Sequence, residues 1–143
     1  MKILDIEPHV ILDVYLKEIR SVLELAVPAW HSGLTKKQSA DIERVQRVAL
    51  NIILSDTNTV VCEFSYNMCL VILDLQPLEE RREKLCSTFA NKTLKSRHAN
   101  MFTPYNSSYA TRNKQKFFMP SCNTKRFYNS PLNYLTRILN DEI

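Results

Sequence analysis

Phosphoryl transfer with two metal ions needs carboxylates close enough to share both cations, and the aspartates of this chain do not offer that. Asp5, Asp13, Asp41, Asp56, Asp74 and Asp141 are all separated from one another, and none stands in a Tyr-x-Asp-Asp run. Glu79-Glu80 is the nearest carboxylate pair. Consecutive residues on a helix diverge by about 100°, so these two read as charge at a helix N-terminus instead of as a metal site. Cys62, Cys69, Cys86 and Cys122 form no C-x-x-C pair and have no histidine at zinc-ligand spacing; they read as reduced thiols in or near a core. His9, His31 and His98 are far apart, and there is no glycine-rich phosphate loop, G-x-S-x-G or H-E-x-x-H. The residues therefore predict a chain that is not itself an enzyme and that uses no metal or cofactor.

Binding chemistry is better represented. Between His98 and Tyr128, cations alternate with rings: Tyr105, Tyr109, Arg112, Lys114, Lys116, Phe117, Phe118, Lys125, Arg126, Phe127 and Tyr128. Such mixtures grip single strands, with cations following phosphates and rings stacking on bases. The competing reading docks the rings on the protein's own core, and it is favoured for Phe117, Phe118 and Phe127, whereas the cations favour nucleic acid. Arg44 and Arg47 project from one side of a helix and can meet phosphates, which reward Lys and Arg by counterion release. A solvated face with Glu43 alongside explains them equally well.

Charge is divided along the chain. The net +4 of the 143 residues combines 7 Lys/Arg and 12 Asp/Glu over residues 1–80 with 12 and 3 over residues 81–143, that is −5 followed by +9. An acidic half followed by a basic half points to a polyanion meeting the second. No run approaches the roughly 20 apolar residues that span a bilayer, and Ile3-Leu4 is too brief for a signal-peptide core, so a soluble, intracellular protein is expected.

A single glycine, Gly33, argues against tight-turned sheets and for helices joined by polar loops. Pro8 suits the first turn of a helix reaching about Val27, where Pro28 would block continuation. Asp13, Lys17, Arg20 and Glu24 share one narrow strip of it, and the rest is so apolar that the helix is expected to be central and wrapped by others. Trp30 follows in a connector and is expected to cap the bundle end. Thr35-Lys36-Lys37-Gln38 reads as a capping box opening a helix to about Leu54, with Ile42, Val45, Ala49, Ile52 and Ile53 on its core face. Over 60–75 the pattern fits either a strand at Val60-Val61-Cys62 or a short helix from about Ser65 to Leu73. Pro77 begins another helix with Leu78, Leu85 and Phe89 as its core stripe. Arg82 falls on that stripe and demands an acidic partner, for which Glu24 or Glu18 is predicted. Ser130-Pro131 opens a final helix carrying Leu132, Leu135, Ile138 and Leu139. The expected architecture is all-α: a small helical bundle over residues 1–97, then an irregular basic arm and a short C-terminal helix over residues 98–143.

Five of these blocks, in order, resemble the C-terminal part of non-LTR retrotransposon reverse transcriptases, just after the catalytic palm. The pattern I-R-S-x-L-E-x-A-x-P-x-W is filled by Ile19, Arg20, Ser21, Leu23, Glu24, Ala26, Pro28 and Trp30. E-R-x-Q is matched by Glu43, Arg44 and Gln46, and L-x-x-R-R by Leu78, Arg81 and Arg82. Thr111-Arg112 and Asn129-Ser130-Pro131 through Tyr134-Leu135 match the downstream blocks. The resemblance runs from about residue 10 to the end; Val60-Val61-Cys62 departs from it, and a C-terminal cysteine-rich knuckle is lacking. It favours the short helix at 65–73 and implies that the first helices form a thumb, which clamps template RNA and nascent DNA while catalysis belongs to a palm upstream of Met1.

The resulting expectation is a non-catalytic fragment of an RNA-directed DNA polymerase from a transposable element, with the palm and a template–primer as partners and no membrane. Arg44, Arg47, Arg112, Lys114, Lys116, Lys125 and Arg126 are the candidate phosphate contacts. Arg20, Glu24, Trp30 and Arg82 are expected to be structural. The alternatives are a helical protein–protein module, such as a domesticated remnant without a nucleic-acid role, and a decayed product without function.

Overall fold

Helices supply every regular element among residues 7–55, 65–106 and 115–141, the residues described by the computed structural model of the chain. An isolated antiparallel bridge between Pro104 and Phe117 is added to them. The all-α expectation holds across these residues. The chain divides into two compact units, neither continuous in sequence: Met1–Leu25 with Thr35–Arg81, and Ala26–Leu34 with Arg82–Ile143.

In the first unit, α1 (Pro8–Val14), a π-helical turn (Tyr15–Ile19) and α2 (Arg20–Leu23) follow one another without a break. Pro8 stands in the first turn, where its missing N–H costs nothing. The π turn is closed by the Arg20 N–H reaching back to the Tyr15 carbonyl. The Ser21 hydroxyl bonds back to the carbonyls of Lys17 and Glu18, donating at 2.6 and 3.0 Å. The Asp13–Lys17 pair forms at 2.7 Å as its spacing predicts.

Two expectations for this helix are corrected. It ends at Leu23, with Glu24 as its C-cap, and Ala26 turns into the left-handed region at φ 51°. Pro28 consequently lies in the first turn of a new helix and does not end the old one. Nor is the helix wrapped on all sides: Tyr15 is its one fully buried residue among those described, while Val22 is 71% exposed and Val14 and Ile19 are also open.

The capping box of α4 (Lys36–Ser55) forms as written in the sequence. The Thr35 N–H donates to Gln38 Oε1 at 2.9 Å, and the Gln38 N–H donates to Thr35 Oγ1 at 3.2 Å. Its buried face is rotated from the predicted one. Of the predicted face Ile53 is buried, together with Gln46 and Leu50, whereas Val45 and Ile52 are exposed. The rotation brings a glutamine inward that apolar periodicity alone assigns to the surface. Helix α5 (Tyr66–Ile72) then closes the core, in which Tyr15, Leu50, Ile53, Cys69 and Leu70 meet. Its end is a Schellman arrangement: Asp74 takes φ 51°, Leu75 N–H reaches Leu70 O at 2.8 Å, and Asp74 N–H reaches Val71 O at 3.3 Å.

In the second unit, α3 (Val27–Trp30) and a 3₁₀ turn (His31–Gly33) join most of α6 (Leu78–Leu94), a 3₁₀ turn (Ala99–Met101), α7 (Lys125–Tyr128) and α8 (Pro131–Asp141). Val27, Cys86, Ala90, Phe102, Leu135 and Leu139 form its core, with Trp30, Leu85, Leu94 and Phe117 packed against it. Of the predicted α6 stripe, Leu78 is buried and Leu85 half-buried, but Phe89 is exposed, and Cys86 and Ala90 are fully buried.

Candidate nucleic-acid interface

The residues that carry the motif blocks of the first half are joined in the first unit. Glu24 sits between two arginines, with Arg81 Nε at 2.5 Å and Nη2 at 3.0 Å, and Arg20 Nε at 3.7 Å. The fork-to-carboxylate geometry makes Arg81 the principal partner, and its hydrogen bond to Glu24 holds the Arg81 guanidinium above its ordinary pKa. Glu24, one of the two partners predicted for Arg82, is thus bonded to Arg81. Arg82 is buried, 1% exposed, as its stripe position implies. Positions 81 and 82 point about 100° apart on a helix, and it is Arg81 that meets Glu24.

A second polar cluster surrounds Gln46. Tyr15 Oη donates to Gln46 Oε1 at 2.7 Å, and Gln46 Nε2 donates to Tyr66 Oη at 3.0 Å and to the Gln76 carbonyl at 3.1 Å. Tyr66 Oη in turn donates to Glu43 Oε1, which also accepts the Leu78 N–H at 3.0 Å. Glu43 thus caps the first residue of α6, where a negative charge is favoured. Burial pushes the Tyr15 phenol up to about 12. Burial, reinforced by the Glu43 hydrogen bond, raises Tyr66 further. The E-R-x-Q block is therefore structural at Glu43 and Gln46 and outward-facing at Arg44, which is exposed. Arg47 is exposed too, with its guanidinium 5.1 Å from the centre of the Tyr66 ring.

In the second unit the arm is pinned to α8 by two asparagines. Asn140 Oδ1 accepts the Lys116 and Phe117 N–H groups at 3.1 and 3.0 Å, and Asn140 Nδ2 returns a bond to the Phe117 carbonyl at 3.1 Å. Asn133 Nδ2, buried, donates to the Phe127 carbonyl at 2.8 Å. The arm also pairs with itself: Tyr105 N–H reaches Lys116 O, and Phe118 N–H reaches Thr103 O, each at 2.8 Å. Thr124 caps α7 by accepting the Phe127 N–H. Arg137 lies over the Tyr128 ring with Cζ 3.8 Å from its centroid, and 5.6 Å from that of Tyr134.

The candidate residues are thus distributed over both units. Lys116, Lys125 and Arg126 are exposed on the second, Arg44 and Arg47 on the first, while Arg112 and Lys114 lie outside the described residues. Docking of the rings on the core holds for Phe117, which packs there 5.8 Å from Phe102. It fails for Phe118 and Phe127, which are half open to solvent. Trp30 packs at the edge of that core. Asn133, Asn140 and Arg137 escaped sequence reading, since no motif distinguishes a bridging asparagine; only their inward spacing on α8 could have marked them. Cys69, Cys86 and Cys122 form no disulfide, and burial pushes Cys86 up to about 11.

Among the described residues no group of His, Cys, Asp and Glu could hold a metal ion, and no helix is long and apolar enough to cross a membrane. No protein-family model matches the chain, and no match was found among curated proteins or solved structures.

Proposed function

We propose that this chain is the thumb and following region of a non-LTR retrotransposon reverse transcriptase, and that it holds template–primer nucleic acid while chemistry belongs to an upstream palm. The observation that carries the reading is a charged, ring-bearing surface on the second unit. That unit's sequence contains eleven Lys/Arg and three Asp/Glu, a net +8, against −4 for the first, with eight and twelve. Its exposed Lys116, Lys125 and Arg126 are accompanied by half-open Tyr105, Phe118, Phe127 and Tyr128. Phosphates reward such cations and bases reward such rings. The order of the five sequence blocks supports the origin, as does the meeting of Arg20, Glu24, Arg81, Glu43, Gln46 and Leu78 within one unit.

The test is titration of the chain into a labelled RNA template annealed to a DNA primer. Binding at 50 mM salt that weakens steeply by 200 mM is expected; no binding at the lower salt would overturn the proposal. A second reading, a helical protein–protein module, is favoured by the apolar side chains of the first unit that stand in solvent, with Val22 and Leu25 at 71% and Val71 at 77%. On the first reading, the palm is the partner that covers them.

A further inference from the structure

The geometry points to α7 and α8 of the second unit as a stacking platform for single-stranded nucleic acid, with Phe127 and Tyr128 receiving bases and Arg137 bracing the Tyr128 ring. This inference rests on the nucleic-acid reading above and adds the strand type and the residues that receive bases. Phe127 and Tyr128, two adjacent large rings, are each 46% exposed. They are also held in place. Thr124 caps the four-residue turn that carries them. Asn133 fixes the Phe127 carbonyl. The Arg137 guanidinium covers one face of Tyr128 at 3.8 Å, leaving the open part of that ring to a ligand.

The charge around the rings selects the ligand. Lys125 and Arg126 are exposed immediately before them and Arg137 lies beside them, while Asp141 is the one acid among the described residues of 123–141. An apolar protein partner has no use for three cations there, whereas a phosphate backbone does. A duplex keeps its bases stacked on one another, so exposed rings match splayed bases of a single strand.

Fluorescence anisotropy of the full chain with a labelled 16-nucleotide oligo(dT), and with a duplex of the same length, tests this. Phe127→Ala and Tyr128→Ala are each expected to weaken oligo(dT) binding about five-fold or more, with the salt slope kept and duplex binding nearly unchanged. Tyr128→Phe keeps the ring and should bind like the unmodified chain, which separates stacking from damage to the fold. If both alanine variants bind oligo(dT) as tightly as the unmodified chain while Lys125→Ala weakens it, the platform is refuted and the broader nucleic-acid reading stands. Equal losses on duplex and single strand refute the strand preference. No binding of the unmodified chain to either probe at 50 mM salt overturns both.

Discussion

Gln46 has the most demanding role of any single residue in the first unit. Its amide is buried and links the two tyrosine hydroxyls to the Gln76 carbonyl. Gln46→Ala leaves those groups to find other partners, and leaving buried groups unsatisfied costs about 1–3 kcal/mol. A loss of about 2–3 kcal/mol in urea-unfolding stability is therefore expected, with Val45→Ala, on the exposed neighbour, costing much less. Titration gives a second prediction at this scale. Burial raises Cys86 from 9.0 to about 11 and Tyr15 from 10.0 to about 12. The unfolded chain loses these protons first, so stability is full below pH 9, falls as pH rises from 9 to 11 through Cys86, and falls again from 10 to 12 through Tyr15. Urea melts at pH 8 and pH 10 should show the fall, and Cys86→Ala should flatten its first part.

At the level of elements, local signals and packing divide what the sequence reveals. The Thr35–Gln38 capping box, the Asp13–Lys17 pair and the Pro131 start of α8 were legible, because each depends on residues a few positions apart, whereas the residues left the short helix at Tyr66–Ile72 open against a strand and the resemblance favoured it. The faces of α4 and α6 were not. Apolar counting placed Val45, Ile52 and Phe89 inside, whereas Gln46 and Cys86 are buried in their place. A buried polar side chain is chosen by partners distant in sequence, which periodicity cannot see. Pro28 misled for a related reason: a proline just after a helix and one just inside the next helix look alike until Ala26 is known to be left-handed. That conformation costs a residue with a Cβ roughly 1 kcal/mol. Ala26→Gly should accordingly raise stability by about 0.5–1 kcal/mol, visible as a higher midpoint in thermal unfolding monitored by circular dichroism; a lower midpoint would contradict the role given to that turn.

For the whole molecule, the charge asymmetry was legible and its spatial basis was not. The sequence divides near residue 80, but the folded units interleave: Ala26–Leu34 joins the basic unit, and α6 supplies its first turn to the acidic one. Of the candidate site, the exposed cations Lys116, Lys125 and Arg126 were legible as types, and the asparagines that pin their arm to α8 were not. On the proposed reading nucleic-acid contact belongs chiefly to the second unit, while in the first Arg47 lies over the Tyr66 ring. The most direct measurement is the dependence of primer–template affinity on salt for the unmodified chain and for the triple variant Lys116→Ser, Lys125→Ser, Arg126→Ser. Each phosphate contact contributes about 0.7–0.9 to the slope of log affinity against log salt. The account predicts a steep slope for the unmodified chain and a slope shallower by about two in the variant. A variant that keeps the full slope and affinity would contradict it.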